Sequence, residues 1–156
     1  MKQLHLKLLI TAIVILIGFI VIRLLFVDNK AEEDGSIYLY IQDENGVTVF
    51  EGEVAFETGD TFFDLLNREF DLTCATASYT EDPSCGYDFQ SFAYQGKVIL
   101  GIKGEDFDLM TNWNDTFLSF YHYNHQEKEL ATRGPSNIPY KDGDTFLISY
   151  ELAWGS

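Results

Sequence analysis

The chain is poor in positive charge. Its 156 residues include 10 Lys and Arg against 25 Asp and Glu, which gives a formal net charge of −15 at pH 7. From Ala31 to Ser156 the imbalance is larger, with 6 basic and 24 acidic residues and a net charge of −18. Such a surface repels phosphate backbones and anionic lipid headgroups. The composition therefore excludes nucleic acid as a partner and is typical of a soluble, exported domain.

Cysteine is scarce as well, with two residues in the chain. In an exported domain Cys74 and Cys85 would pair as one disulfide. This disulfide would pin the irregular segment Thr73–Gln95, which contains Tyr79. The sequence therefore predicts either a recognition loop that is held in place or a simple covalent staple.

Motifs for catalysis and metal binding are missing. The chain has no serine elbow, no phosphate-binding glycine loop and no helical histidine–glutamate pair. His122 and His125 stand three residues apart on a predicted strand, which places their side chains on opposite faces and argues against a shared ion. We predict that the protein is not an enzyme and has neither catalytic residues nor a metal site.

One long apolar run is present, from Leu8 to Val27. Twenty residues of helix span roughly 30 Å, the hydrocarbon thickness of a bilayer. Lys2 and Lys7 precede the run and acidic residues follow it, so the amino terminus should lie in the cytoplasm. A cleaved signal peptide is the alternative. The predicted organisation of this cell-membrane protein is a cytoplasmic tail over 1–7, a signal-anchor in the lipid bilayer over 8–27, a stalk over 28–35 and an extracellular domain over 36–156.

Strands are indicated by apolar side chains at every second position. Ser36–Gln42 alternates in this way, Asn45 and Gly46 favour a tight turn, and Val47–Phe56 continues as a second strand. Three later segments also have the length and composition of strands: Lys97–Ile102, Phe117–Asn124 and Thr145–Leu152.

One amphipathic helix is predicted between the hairpin and the later strands. Thr61 and Asp64 have the spacing of a capping box, and the apolar residues of Phe62–Phe70 form one helical stripe. The order of elements predicts an α+β roll, in which a hairpin and one helix pack with a mixed sheet of about five strands.

Four segments carry a family resemblance: Gly59–Leu66, Val98–Gly104, Trp113–Asn124 and Tyr140–Thr145. They resemble an uncharacterised bacterial family of secreted and membrane-anchored proteins, which is similar to the C-terminal domain of transcobalamin and intrinsic factor. The resemblance implies a β-grasp fold, with a ligand or partner at the loop before Trp113, the strand Phe117–Asn124 and the following turn. At that turn the family has Asn-Gly, whereas this chain has Asn124 and His125.

The candidate binding residues have flat apolar faces or polar tips that suit stacking and anchoring. They are Trp113, Tyr121, Tyr123, His125 and Tyr79. The alternative is that the aromatic residues belong to the core and to sheet edges. The predicted function is a membrane-anchored extracellular binding module for a small ligand. The resemblance implies a cobalamin-type corrinoid as its candidate ligand, and no resident cofactor is predicted. The alternative is a surface module that binds a protein or an envelope polymer without a small ligand.

Overall fold

The computed structural model describes residues 11–18, 29–90, 95–124 and 127–153. Residues 11–18 form a helix (α1) within the apolar run, and the rest of the predicted span over 8–27 lies outside the described residues. In these ranges, none of the helices has the length and hydrophobicity that a membrane crossing requires. Among the described residues, the buried side chains all lie between Ala31 and Ser149. The hydrophobic core of the described ranges therefore belongs to the part of the chain that follows the run.

A five-stranded mixed sheet forms one layer of the domain. Its strands in spatial order are β2 (Thr48–Phe56), β1 (Gly35–Gln42), β9 (Thr145–Leu152), β7 (Thr116–Asn124) and β8 (Glu127–Leu130). Strands β1 and β9 are parallel, and the other neighbours are antiparallel. The β1–β2 hairpin turns at Gly46, whose φ of 73° suits glycine. A mixed sheet of five strands is therefore present, but it contains four of the five predicted strands, and its fifth strand, β8, was not predicted.

The structure differs from the prediction in having a second sheet. Its strands in spatial order are β4 (Glu81–Asp82), β3 (Asp71–Ala75), β5 (Ile99–Lys103) and β6 (Asp108–Met110). The predicted strand Lys97–Ile102 corresponds to β5 and belongs to this sheet, and Thr73–Gln95, predicted as irregular, contains β4 and part of β3. Strand β3 has 5 residues with Leu72 and Cys74 buried in alternation. Its pattern is too short to stand out from the sequence.

The second helix, α2, spans Phe62–Glu69 and begins with the predicted capping box. Thr61 Oγ1 accepts a hydrogen bond from Asp64 N at 3.2 Å, and the Asp64 carboxylate accepts one from Thr61 N at 2.9 Å. In the last turn Arg68 pairs with Asp60, with an N–O distance of 2.6 Å. The N-terminal end of the helix is thus satisfied by side chains that are local in sequence, and at the C-terminal end the backbone N–H of Phe70 donates to Leu66 O at 2.9 Å.

Phe62 joins helix α2 to the five-stranded sheet. Its buried ring has its centroid 4.7 Å from that of Phe146 on β9 and 6.3 Å from that of Phe120 on β7. The Tyr140 ring lies 5.7 Å away on another side. Side chains of β3 and β5 belong to the same cluster. The helix and the two sheets therefore share one hydrophobic interior.

Candidate functional site

A groove of about 500 Å³ lies between the two sheets. We call it the inter-sheet groove. Its walls are Lys97–Ile99 at the start of β5, Phe117–Phe120 of β7, Trp113, and the segment Leu130–Pro135 after β8. Small-molecule sites in proteins usually have volumes of about 300–1,000 Å³ and mainly apolar walls. The inter-sheet groove has the size and lining of such a site.

The groove runs beside the first half of strand β7. Strand β8 pairs with the second half of β7, Tyr121–Asn124. Among the described residues, the first half, Thr116–Phe120, pairs with a strand on one side only, and that strand is β9. After β8 the chain makes one more backbone hydrogen bond to β7, from Ala131 N to Phe120 O at 2.8 Å. Because β8 is short, the first half of β7 is left as a wall of the groove.

The segment after β8 is held close to Lys97. A Cβ added at Gly134 would come within 3.2 Å of the Lys97 carbonyl oxygen, so glycine permits this close approach. Ser136 Oγ accepts a hydrogen bond from Lys97 N at 3.0 Å, and Pro135 is buried. These contacts fix one wall of the groove against the other.

Trp113 enters the groove wall from a strained turn. Its backbone φ is 62°, a conformation that is rare for a bulky residue and costs of order 1–3 kcal/mol. The turn is held by Asn112, whose Oδ1 accepts hydrogen bonds from the backbone N–H groups of residues 114–116. The ring packs against a small apolar cluster that includes Val98 and Leu100. The turn thus holds the ring between this cluster and the groove.

The predicted disulfide is present and brings a second aromatic ring to Trp113. Cys74 and Cys85 are bonded, with their Cα atoms 4.9 Å apart. Tyr79, in the loop between them, also has a positive φ, of 57°. Its ring is nearly parallel to that of Trp113, with the centroids 5.8 Å apart and an interplanar angle of 16°, and its centroid lies 5.2 Å from that of Phe89. The pinned loop and the Trp113 turn therefore form one aromatic unit.

Tyr121 does not line the groove, and its side chain interacts with three neighbouring residues. Its hydroxyl donates a hydrogen bond to Glu151 Oε1 at 2.6 Å, and Ser119 Oγ donates to the other carboxylate oxygen at 3.0 Å. The Lys128 ammonium lies 3.7 Å from the ring centroid, a cation–π contact. Burial raises the pKa of Tyr121 to about 12, and the hydrogen bond to Glu151 adds to this shift.

Comparison with known proteins identifies the fold. No family model matches the chain, and no curated protein matches its sequence. The crystal structure of haptocorrin in complex with Cbi matches with a TM-score of 0.51 and 13% identity, over 78% of this chain and 26% of that chain. The fold is haptocorrin-like. This chain spans about a quarter of the haptocorrin chain, and the likeness establishes the fold alone.

Haptocorrin is a transcobalamin-family protein. The distant resemblance to that family, predicted from four sequence segments, is therefore supported at the level of structure. Assignment to the uncharacterised bacterial family stays a prediction.

The other predicted site residues of β7 lie apart from the groove in the haptocorrin-like fold. Tyr123 is half-buried in the ladder between β8 and β9, and His125 lies outside the described residues. The His122 ring stacks on that of Phe146, with centroids 4.7 Å apart, and its Nε2 lies 3.5 Å from the Asp144 carboxylate. Of the predicted site residues, the structure thus brings Tyr79 and Trp113 together, whereas Tyr121 and Tyr123 lie outside the groove.

Several residues of the groove do not stand out in the sequence. Lys97, Phe117, Leu130 and Arg133 all line it, but they come from three separate segments that meet only in the folded chain. The sequence offers one signal, the glycine–proline turn at 134–135. Such a turn predicts a surface loop, and surface loops often carry binding residues.

Titration at high pH tests the environment of Tyr121. A tyrosine whose pKa rises on folding from 10 to about 12 contributes stability below pH 10, which is lost as the pH approaches 12. We expect the free energy of unfolding, measured by urea denaturation, to fall over this range and to fall less steeply in Tyr121→Phe. Burial also raises the pKa of Tyr140, so Tyr140→Phe should flatten the curve independently. An unchanged slope in Tyr121→Phe would contradict this account.

Proposed function

We propose that the chain is a membrane-anchored, extracellular binding module that holds a small ligand in the inter-sheet groove. The apolar run Leu8–Val27 serves as the anchor, and the charge order around it directs the acidic domain out of the cell. The disulfide Cys74–Cys85 agrees with an oxidising compartment. The haptocorrin-like fold and a groove of ligand size support the binding role.

The geometry of Trp113 carries this proposal. A bulky residue at positive φ persists where the surrounding structure over-determines it, and such residues cluster at binding and catalytic sites. The Trp113 ring stacks on Tyr79 and also lines the groove. Trp113 is partly buried, and tryptophan rings are among the side chains that contribute most to binding energy at recognition sites. We therefore propose that the ligand lies against Trp113.

Corrinoids are the candidate ligand class. One solved structure that shares this fold is haptocorrin in complex with Cbi, and the apolar walls of the groove suit the flat face of a macrocycle. The match covers 26% of the haptocorrin chain, so the domain would cover one part of such a ligand. We therefore expect affinity in the micromolar range for this domain alone.

Equilibrium dialysis tests the proposal directly. The fragment 29–156, which contains every buried residue of the described ranges, is dialysed against cobalamin and against cobinamide, and retention is read from corrinoid absorbance. We expect micromolar retention that Trp113→Ala weakens at least tenfold, since it removes the stacking surface. Tyr40→Ala, which removes a half-buried ring from β1, is the matched control and should retain wild-type affinity. Thermal unfolding of each variant is measured in parallel.

Two results of the dialysis would count against the proposal. Absence of retention by the folded wild-type fragment removes corrinoids as the ligand class. Retention that Tyr40→Ala weakens as much as Trp113→Ala does would move the site away from the inter-sheet groove.

The alternative function is a surface module for a protein or polymer partner. It is favoured by the first half of β7, Thr116–Phe120, which β8 does not cover. A strand without a partner on one side offers backbone groups to an extended peptide, which adds as a further strand. Leu130 borders this edge and is 56% exposed. A photo-crosslinking residue at position 130, used on intact cells, would capture one defined protein if the edge binds a peptide. Absence of a specific adduct would leave the small-ligand function as the better account.

A further inference from the structure

Among the described residues, those that line the inter-sheet groove include no acidic side chains, although the domain is rich in them. From Ala31 onward 24 of 126 residues are Asp or Glu, yet none of the 14 residues that line the groove is acidic. Two of the six basic residues of the domain, Lys97 and Arg133, are among the 14. The groove is thus an apolar surface with a local excess of positive charge.

We propose that the groove selects a ligand that joins a flat apolar body to an anionic group, and that Arg133 pairs with this group. The inference rests on the proposed function, because it requires that the groove be the ligand site. The anion would be a carboxylate, phosphate or sulfonate, since these match the planar, multiply donating guanidinium group. The apolar body would lie against Trp113.

The two cations of the groove are not equivalent. Lys97 Nζ lies 3.1 Å from the Asp88 carboxylate, and the lysine side chain is 17% exposed, so its charge is already matched. Arg133 is exposed, and among the described residues no ion pair involves it. Its backbone neighbours are fixed by the buried Pro135 and by the Asn137 N to Gly134 O hydrogen bond of 2.8 Å. A free guanidinium on a fixed loop is the group that can receive an anion.

Carboxylates near the groove do not cancel the preference of Arg133 for an anion. Glu129 lines a neighbouring hollow that also includes Arg133, but it does not line the groove. Glu151 does not line the groove, and its two carboxylate oxygens accept hydrogen bonds from Ser119 and Tyr121. The overall negative field is screened over about 8 Å at physiological salt. Pairing with Arg133 at short range therefore decides whether an anion is accepted.

Two aromatic probes of nearly equal shape test the charge preference. The full chain is reconstituted in nanodiscs of zwitterionic phosphatidylcholine and titrated with 2-naphthoate, which is anionic, and with 2-naphthamide, which is neutral. Dissociation constants are obtained by saturation-transfer NMR, with empty nanodiscs as the blank. We expect 2-naphthoate to bind about tenfold more tightly, the usual scale of one charge-assisted hydrogen-bonded pair. Trp113→Ala should weaken both probes.

Variants assign the preference to one side chain. Arg133→Gln should reduce the ratio of the two dissociation constants to about one, whereas Arg133→Lys should keep most of it. Lys103→Gln removes the same charge from an exposed position outside the groove and should leave the ratio unchanged, which separates local pairing from the overall field.

The outcomes separate this inference from the proposed function. Equal binding of the two probes to the wild type, or a preference that survives Arg133→Gln, overturns the charge inference while the groove stays the ligand site. Binding of both probes that Trp113→Ala does not weaken overturns the proposed function and the inference with it. Loss of the preference in Lys103→Gln would also overturn the inference.

Discussion

Replacing Phe62 by alanine is expected to destabilise the domain by about 3–5 kcal/mol, the range for truncating a buried phenylalanine. The Phe62 side chain is fully buried and contacts rings from β9, β7 and the segment before β9. Its removal leaves a cavity that surrounding rings cannot fill without leaving their rotamers. Urea denaturation followed by circular dichroism, with the fragment 29–156, measures the change in the free energy of unfolding.

Phe107→Ala is the matched control for this prediction. Phe107 is partly buried and packs at the margin of the same core, 6.4 Å from the Phe50 ring and 5.9 Å from the Phe70 ring between centroids. Its truncation should cost less, because solvent already reaches part of the side chain. If Phe62→Ala costs no more than Phe107→Ala, then helix α2 is not anchored to the five-stranded sheet as the structure indicates.

Removing the disulfide is expected to lower the stability of the domain by about 3 kcal/mol and to weaken ligand binding. The bond closes a loop between residues 11 apart in sequence, for which the chain-entropy model gives this magnitude. In Cys74→Ser/Cys85→Ser the loop gains conformational freedom, and the Tyr79 ring is no longer held against Trp113. The free energy of unfolding and corrinoid retention are both measured, the latter under conditions where the variant is folded.

Asp82→Asn serves as the control inside the same loop. Its carboxylate accepts hydrogen bonds from Ser84 N at 2.9 Å, from Ser84 Oγ at 2.6 Å and from Gly86 N at 2.8 Å. The Ser84 hydroxyl lowers the pKa of Asp82. The substitution loosens the turn before Cys85 but keeps the covalent link, so we expect a smaller loss of stability and wild-type binding. Unchanged binding after loss of the disulfide would contradict the role given to the Tyr79 loop.

The parts of the fold that were predictable have local signals. The Asn45-Gly46 turn, the capping box of Thr61 and Asp64, and the alternation over Thr145–Leu152 each occupy fewer than ten residues. In each case the physical cause lies within the segment itself: tolerance of positive φ in the turn, side-chain capping in the helix and a period of two residues in the strand. The cysteine pairing was equally simple, because two cysteines allow one intramolecular disulfide.

The groove was not predictable because its cause lies in topology. Lys97, Phe117 and Arg133 meet because β5 belongs to the second sheet and because β8 ends before it covers all of β7. Neither fact follows from periodicity in one segment. The stacking of Tyr79 on Trp113 also required two distant turns at positive φ. The chemistry of each side chain predicts it as a binding residue, but nothing in the sequence predicts that the two rings are in contact.

The measurement that tests the central claim most directly is an amide and indole chemical-shift map of the fragment 29–156 during titration with cobalamin. The account predicts shifts at both walls of the inter-sheet groove, over 97–99, 117–120 and 130–135, and at the Trp113 indole N–H. Tyr38 and Tyr40, on the other half of the five-stranded sheet, should not shift. Saturable shifts confined to β1 and β2, or no shifts at all, would contradict the claim that this groove is the ligand site.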